Sequence, residues 1–216
     1  MTARASLEEF LRTGQLGPIH SGLNPNQVAE VLGTPESWIS NGTLPFPDYW
    51  CYGNLEISFE RRKTAGNEFG MNFFQIEHAG YLAGDYDVIT NAREPILVVD
   101  LDGLTGKSRI PDILKSMAGC PEVKVLLRRF QDTVTVTLHN GAVDVVMAYD
   151  MDDDTREWTE AEMLALSDAE VISIAAVKAK LDSIYSFAPT DPRATVDDGY
   201  DRREFTAAEF LAAATK

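Results

Sequence analysis

The sequence predicts an α+β protein, in which an antiparallel sheet is built from two helix-plus-strand halves and is followed by a helical C-terminal segment. Capping boxes and short apolar stripes indicate helices in both halves. Alternating apolar and polar residues indicate strands after those helices. The turn Asn140-Gly141 between two alternating runs predicts an antiparallel hairpin. With 216 residues, 44% of them apolar, the chain can bury a substantial core.

The first half, about residues 1–90, begins with two helices. The capping box Ser6-Leu7-Glu8-Glu9 starts the first, which Gly14 ends. The motif Asn24-Pro25-Asn26-Gln27 starts the second, with Asn as the cap and Pro at the first helical position. Residues 54–60 alternate between polar and apolar types and predict a strand that the second helix can cover. The run 69–78 predicts another strand, and the Gly- and Asp-rich stretch 79–95 is the expected connection to the next half.

The stretch 16–59 resembles a known packing unit. The residues that carry the resemblance are Leu16-Gly17-Pro18-Ile19-His20-Ser21-Gly22-Leu23-Asn24, then Val28, Val31, Leu32-Gly33 and Pro35. They are similar to the helix-turn-strand start of the SmpA/OmlA-type bacterial lipoproteins and of the β-lactamase-inhibitor-like fold, and small bacterial immunity or inhibitor proteins share the pattern. The resemblance implies a scaffold that displays a binding surface. Since no signal peptide or lipidation cysteine occurs near Met1, an outer-membrane location is not expected.

The second half, residues 91–150, repeats the order of helix and strands. The run 96–101 predicts a buried strand, and a helix follows that Gly119 ends. The apolar stripe of this helix consists of Ile110, Ile113, Leu114 and Met117. Three strands at hairpin spacing come next, at 123–130, 134–138 and 143–149.

The C-terminal segment, residues 151–216, is expected to be helical and to pack on the sheet, with extension to a partner as the alternative. Capping boxes begin at Thr159, Ser167 and Thr206. The second predicts a long helix that ends before Pro189. Its apolar face would consist of Ile174, Val177, Leu181 and Ile184. Residues 188–203 are expected to form a loose loop.

The net charge of −15 makes direct binding to nucleic acid or to an anionic membrane unexpected. No apolar run approaches the roughly 18 residues that a membrane helix needs, so a cytoplasmic location is predicted. Over half of the excess charge lies in residues 150–170, where nine carboxylates face Arg156 alone, which gives −8. The candidate partner-binding carboxylates are Asp150, Asp152, Asp153, Asp154, Glu157, Glu160 and Glu162.

The acidic segment has three interpretations: a contact surface for a basic protein, a solvated loop, or a weak cation site. Asp150, Asp152 and Asp154 have the spacing of a calcium loop, but Thr155 and Ala161 occupy positions where that loop needs Gly and Glu. No metal site is therefore predicted.

A ring-rich stretch precedes the strand at 54–60. It supplies the further partner-binding candidates Trp38, Tyr49 and Trp50, because aromatic side chains are common anchors at interfaces. The same side chains could instead seal an edge of the core.

Catalytic and cofactor motifs are not indicated. His20, His78 and His139 lack zinc-ligand spacing. Two cysteines without metal-ligand spacing, Cys51 and Cys120, are expected to be buried thiols, with Cys51 the first nucleophile to test.

The run Gly106-Lys107-Ser108 imitates the end of a phosphate-binding P-loop. Leu101 stands where the first Gly of that motif is needed, so a turn with Ser108 as a helix cap is the preferred interpretation. No cofactor is expected.

The predicted function is that of a non-catalytic cytoplasmic protein-binding module of the immunity or inhibitor type, whose acidic segment binds a basic partner such as a toxin. The oligomeric state stays open. One alternative is a small enzyme or ligand-binding domain with a pocket near residues 38–52, and another is a structural subunit of a complex.

Overall fold

The computed structural model describes most of the chain. The described residues are 3–42, 44–61, 69–77, 79, 86–87, 90–91, 94–95, 97–120, 122–130, 133–150, 160–187 and 201–215. The helices are α1 (Leu7–Thr13), α2 (Pro25–Leu32), α3 (Ile110–Ser116), α4 (Glu160–Ala165), α5 (Asp168–Lys178) and α6 (Ala207–Ala214). The strands are β1 (Ala3–Ser6), β2 (Ser37–Ile39), β3 (Tyr49–Tyr52), β4 (Leu55–Arg61), β5 (Phe69–Ile76), β6 (Tyr86–Asp87), β7 (Thr90–Asn91), β8 (Glu94–Pro95), β9 (Leu97–Asp100), β10 (Lys124–Phe130), β11 (Thr133–His139), β12 (Val143–Asp150), β13 (Lys180–Phe187) and β14 (Asp201–Thr206).

Nine of these strands form one sheet in the order β14-β10-β11-β12-β13-β5-β4-β3-β2. Every neighbouring pair in it is antiparallel. Strand β13 pairs with β12 on one side and with β5 on the other, so it joins the strands of the first half to those of the second. The α+β class and the large antiparallel sheet are confirmed, and the molecule contains more sheet than two helix-plus-strand halves.

A smaller sheet contains the chain start. Strand β1 pairs in parallel with β9, and β6 pairs with the other side of β9. The predicted strand at 96–101 is confirmed as β9, in which Leu97 and Val99 are buried. Strand β1 was not predicted from the sequence, because four residues contain too little alternation to distinguish a strand from a helix lead-in.

Strand β13 contradicts the predicted long helix. Helix α5 ends at Lys178, and residues 180–187 continue as a strand in the interior of the sheet. Val177, assigned to the buried face of a helix, is 64% exposed, whereas Leu181 and Ile184 are buried within the strand. Strand pairing on both sides of β13 therefore outweighs the helical spacing of these apolar residues.

The C-terminal segment is therefore not wholly helical. Residues 188–200 of the predicted loop lie outside the described residues, as does Thr159 of the first predicted capping box. Residues 201–203 belong to β14, which pairs with β10. The capping boxes at Ser167 and Thr206 are confirmed, since each hydroxyl accepts a hydrogen bond from the backbone N–H three residues later.

The helices supply the apolar core on one face of the large sheet. Helix α1 contacts β12, α2 contacts β5, α5 contacts β11 and β12, and α6 contacts β10. The ring of Phe10 in α1 stacks on Phe74 of β5 with a centroid distance of 5.4 Å, and both side chains are fully buried. Fully burying such a side chain contributes about 1.5–3 kcal/mol. This core fixes which face of every strand points away from the helices.

The predicted ends of α1 and α2 are confirmed. The Ser6 hydroxyl accepts from the Glu9 N–H at 3.0 Å, and Gly14 ends α1 in the left-handed region with φ of 73°. The Asn24 side chain accepts from the Gln27 N–H at 3.0 Å, and the Gln27 side chain accepts from the Asn24 N–H at 2.9 Å. Short-range hydrogen bonding thus explains both boundaries.

Helix α3 has the predicted stripe but a different cap. All four predicted apolar residues, Ile110, Ile113, Leu114 and Met117, are buried. The cap residue is Arg109, whose N–H donates to the Asp112 carboxylate at 2.9 Å. Ser108 lies one residue earlier and accepts from the Thr105 N–H at 2.9 Å. The prediction of Ser108 as the cap is wrong by one residue.

Candidate functional site

The face of the large sheet opposite the apolar core carries a continuous row of polar side chains. Neighbouring members stand directly opposite each other on adjacent strands, and cross-strand partners point to the same face. From β14 to β2 this cross-strand row consists of Thr206, Lys124, His139, Asp144, Tyr185, Gln75, Glu56, Cys51 and Ser37. It crosses all nine strands, so it brings together residues from both ends of the chain.

One end of the row is basic. Lys124 Nζ lies 3.0 Å from Glu204 Oε1, and His139 Nδ1 lies 2.5 Å from Asp144 Oδ1. The hydrogen bond to Asp144 raises the pKa of His139 above its ordinary value and outweighs the opposing effects of burial, Lys124 and Arg202. His139 therefore keeps its charge to a higher pH than a solvated imidazole.

A groove of about 300 Å³ lies at this basic end. Its basic lining groups come from three strands, namely Lys124 and Arg128 of β10, His139 of β11 and Arg202 of β14. The rings of Tyr185 and Phe187 form another wall. The groove therefore combines positive charge with aromatic surface.

The other end of the row is a hydrogen-bond network around Gln75. The Gln75 amide donates to Glu56 Oε2 and to Glu77 Oε1, each at 2.6 Å, and lies 3.1 Å from the Tyr49 hydroxyl. The Tyr49 hydroxyl donates to Glu56 at 2.5 Å. Gln75 is only 4% exposed. Its buried amide thus holds the half-buried carboxylates of Glu56 and Glu77 next to one another.

Burial and the neighbouring Glu56 carboxylate raise the pKa of Tyr49 far above its ordinary value. Ionisation of Tyr49 would place a third negative group beside Glu56 and Glu77. Tyr49 therefore acts as a neutral hydrogen-bond donor.

Cys51 is a half-buried free thiol, and Cys120 is half-buried as well, so neither is as deeply buried as expected. Burial raises the pKa of Cys51, against the opposing effect of a hydrogen bond with Ser37. The neighbours of Cys51 in the row are Ser37 and Glu56, neither of which would deprotonate it readily. A raised pKa makes a thiol a weak nucleophile at neutral pH.

Of the three predicted aromatic binding residues, the structure brings Trp38 and Trp50 together and places Tyr49 on the other face of the sheet. Trp38 and Trp50 stand opposite each other in β2 and β3, rather than in a loop before the first strand. Trp50 is half-buried, its indole N–H donates to the Pro47 carbonyl at 2.8 Å, and its ring packs edge-on against Phe59. Tyr49 lies on the opposite face of the sheet, in the network around Gln75. Trp38, in contrast, is 56% exposed.

A cleft of about 640 Å³ lies between the start of α2 and the rings of Phe46, Trp50 and Phe69. Its lining includes Asn24, which caps α2, and Gln27 of the first turn of α2. It is close to the region where the ligand-binding alternative places a pocket.

The acidic segment is described only at its ends. Asp152, Asp153, Asp154 and Glu157 lie outside the described residues. Asp150 ends β12, and Glu160 and Glu162 belong to α4, where Glu162 is exposed. Asp168, further along, forms ion pairs with Arg129 and Arg203. The two described ends of the acidic segment thus both adjoin the large sheet.

Among the described residues, no group of three or more His, Cys, Asp or Glu side chains is placed to hold a metal ion. His78 lies outside those residues. Within the same part of the chain, no helix combines the length and apolar character needed to cross a bilayer.

Several functional-site residues were missed in the sequence, namely Gln75, Glu77, Lys124, Arg128 and Arg202. A signal was present for β10, because Lys124, Leu126 and Arg128 occupy the alternate positions to the buried Val125 and Leu127. Local pattern could not show which residues join them in the groove, since Tyr185 and Arg202 lie in segments predicted as helix and loop.

Comparisons of the chain with protein-family models, with curated proteins and with solved structures found no significant match. The similarity to SmpA/OmlA-type proteins therefore stays a prediction.

Proposed function

We propose that this chain is a non-catalytic cytoplasmic protein-binding module of the immunity or inhibitor type, which binds a basic partner such as a toxin. The observation that carries the proposal is the exposure of Trp38 and Ile39, at 56% and 57%, on the terminal strand of the nine-stranded sheet. The acidic segment around Asp153 supplies the complementary charge.

Strand β2 is suited to binding because it pairs with β3 on one side only among the described strands. The exposed edge of a sheet is a template on which a partner can add a strand, and apolar side chains there favour such pairing. Two of the large apolar side chains that the structure describes as exposed, Trp38 and Ile39, lie on this strand, one on each face of the sheet. Trp38 also continues the aromatic surface of Trp50 outward to the edge.

Charge supports a basic partner. The chain carries −15, and −8 of it lies in residues 150–170. A concentrated negative charge accelerates the approach of a positively charged protein and sets its orientation more than it raises affinity. The aromatic edge would then supply the apolar contacts that slow dissociation.

The arrangement of the row favours binding over catalysis. Cys51 and His139 are separated by five strand spacings, or about 24 Å, which is far beyond the reach of proton transfer. His139 is paired with Asp144, and Tyr49 and Cys51 are held in their neutral forms. These side chains are arranged to satisfy one another rather than to attack a substrate.

The test uses the product of the neighbouring reading frame in the genome as the partner. The full chain is produced with it in bacterial cells, and growth, affinity and association rate are measured. We expect protection of growth, and a loss of about tenfold or more in affinity for Trp38→Ala, because exposed aromatic anchors contribute more than 1.4 kcal/mol when buried by a partner. Val177→Ala is the matched control, since Val177 is an exposed apolar residue on α5. Absence of binding, or equal loss in both variants, would overturn the proposal.

A second candidate function is small-ligand binding in the cleft beside α2. Its volume of about 640 Å³ and its three aromatic rings fit a ligand pocket, for which volumes of roughly 300–1,000 Å³ are common. A metabolite panel monitored by thermal unfolding tests this candidate. A ligand that raises the melting temperature of the wild type but not that of Phe46→Ala would support it, and a panel without any shift would count against it.

A further inference from the structure

The groove at the basic end of the cross-strand row is positively charged in a protein whose net charge is −15. Its ionisable lining groups, apart from Tyr185, are four basic side chains against Asp144 and Glu204, which gives +2 when His139 is protonated. The positive charge comes from strands that are distant in sequence, since Lys124 and Arg202 are 78 positions apart but lie on adjacent strands. Folding therefore concentrates basic groups that are scattered in the chain.

Two of these basic groups stand directly opposite each other. Arg128 of β10 is the cross-strand partner of Arg202 in β14, and both line the groove. Like charges at opposed positions destabilise a pair of strands. Planar guanidinium groups in the lining of one groove suit phosphate oxygens, because each can donate two parallel hydrogen bonds.

Lys124 and His139 extend the same charged surface. They are directly opposite each other on β10 and β11. The pair Leu126 and Thr137 lies two residues away along the two strands. Lys124 is held by Glu204 and His139 by Asp144, so both cations are positioned before any ligand arrives. Positioned donors lose little conformational freedom on binding.

The remaining wall of the groove is aromatic. The rings of Tyr185 and Phe187 are stacked on each other with a centroid distance of 5.6 Å and an interplanar angle of 4°. Two parallel rings beside a cluster of cations offer a surface for another flat ring. The groove should thus bind an anion that carries an aromatic ring more tightly than an anion without one.

We infer that this groove binds a small aromatic phosphate, with the phosphate at Lys124, Arg128 and Arg202 and the ring against Tyr185 and Phe187. The charge of about −1.5 to −2 that a phosphate monoester carries at pH 7 matches the +2 that the lining groups carry with His139 protonated better than a single carboxylate does. The site is separate from the edge strand β2, which lies at the other end of the sheet. Phosphate binding in the groove therefore does not depend on the proposed protein-binding role.

Calorimetry on the full chain tests the inference with phenyl phosphate, inorganic phosphate, benzoate and phenol. We expect phenyl phosphate to bind most tightly, inorganic phosphate and benzoate more weakly, and phenol not at all. Arg202→Gln and Lys124→Gln should each weaken phenyl phosphate by about tenfold, the effect of losing one charge-assisted hydrogen bond. Phe187→Leu should reduce the affinity for phenyl phosphate to that for inorganic phosphate.

Lys107→Gln is the matched control, because Lys107 is an exposed lysine in the loop before α3, away from the groove. Its affinity for phenyl phosphate should equal that of the wild type. Circular dichroism and thermal unfolding confirm that each variant is folded, and the two groove variants lie on different strands, so a folding defect in one leaves the other informative. Three results would overturn the inference: no binding of phenyl phosphate at millimolar concentration, equal weakening in Lys107→Gln, or equal affinity for phenyl phosphate and inorganic phosphate.

Discussion

His139 Nδ1 lies 2.5 Å from Asp144 Oδ1 across the β11–β12 pair, at the basic end of the row. The pairing raises the pKa of His139 in the folded state, whereas Lys124 and Arg202 oppose the shift. A raised folded pKa means that the native state holds this proton more tightly than the unfolded chain does. The pairing therefore stabilises the protein only where His139 is protonated.

This relationship predicts a pH-dependent difference between the wild type and Asp144→Asn. The contribution is fully present below the ordinary pKa of about 6.5 and is lost as pH rises through the raised pKa of folded His139. Below pH 6 we expect Asp144→Asn to be less stable by about 1 kcal/mol, with a smaller difference above the raised pKa. Urea unfolding at several pH values measures it. A difference that grows with rising pH would show that the pairing does not favour the charged imidazole.

The strand assignment of residues 180–187 leads to a second prediction. A long helix would place Val177 and Ile184 on the same buried face, whereas the structure exposes Val177 and buries Ile184 completely. Ile184→Ala should lower the free energy of unfolding by about 2–5 kcal/mol, because it leaves a cavity between sheet and helices. Val177→Ala should change it by less than about 0.5 kcal/mol. Equal losses in the two variants would favour the helix.

Gly14 provides a third prediction. A Cβ added there would lie 2.9 Å from the Ala142 carbonyl oxygen, and φ is 73°. Gly14→Ala should therefore be destabilising by more than about 2 kcal/mol, since steric overlap adds to the left-handed backbone strain. Gly141→Ala is the control, because φ is 83° there but no atom lies within 4 Å of the added Cβ. Thermal unfolding of both should show a clearly smaller loss for Gly141→Ala, and a similar loss in both would disprove the close approach.

Gln75 provides a fourth prediction. Gln75→Leu removes the buried amide that donates to Glu56 and Glu77, so two half-buried carboxylates lose their shared donor. The free energy of unfolding should fall by about 2–3 kcal/mol, because hydrogen bonds to charged groups are stronger than those between neutral groups. The double variant Gln75→Leu/Glu56→Gln also removes one of the two carboxylates. It should therefore recover part of the lost free energy of unfolding. Denaturant titration of both variants checks this, and no recovery in the double variant would contradict the role of Gln75 as the bridge.

A fifth prediction concerns the acidic segment. Neutralising Asp152, Asp153 and Asp154 to Asn should slow association with a basic partner and flatten its dependence on salt, while the dissociation rate changes little. The control replaces Glu8, Glu30 and Glu60, three exposed carboxylates elsewhere, with Gln. Stopped-flow or interferometry measurements at two salt concentrations give the association and dissociation rates of both variants. An unchanged association rate in the Asp variant would remove the segment from the binding surface.

The sequence predicts an element well when the interactions that form it join residues close together in the chain. The caps at Ser6, Asn24, Ser167 and Thr206 were predicted correctly because each depends on a hydrogen bond to a residue three positions away. Strand β13 was not predicted, because Leu181 and Ile184 are three residues apart, which is a helical spacing. Both are buried in the strand because its register against β12 is irregular between Val146 and Met147. The aromatic residue Trp38 was identified as a candidate from its type, and only the fold showed that it lies at an edge.

The sequence by itself determined the α+β class, the starts of the capped helices and the Asn140-Gly141 hairpin, in which Asn140 Oδ1 accepts from the Ala142 and Val143 N–H groups. The tertiary structure alone decided that one sheet spans both halves and that Lys124, His139 and Gln75 belong to a single row. The physical reason is that turns and caps are formed by neighbours in the chain, whereas strand register is set by burial of apolar faces between segments that are far apart in sequence.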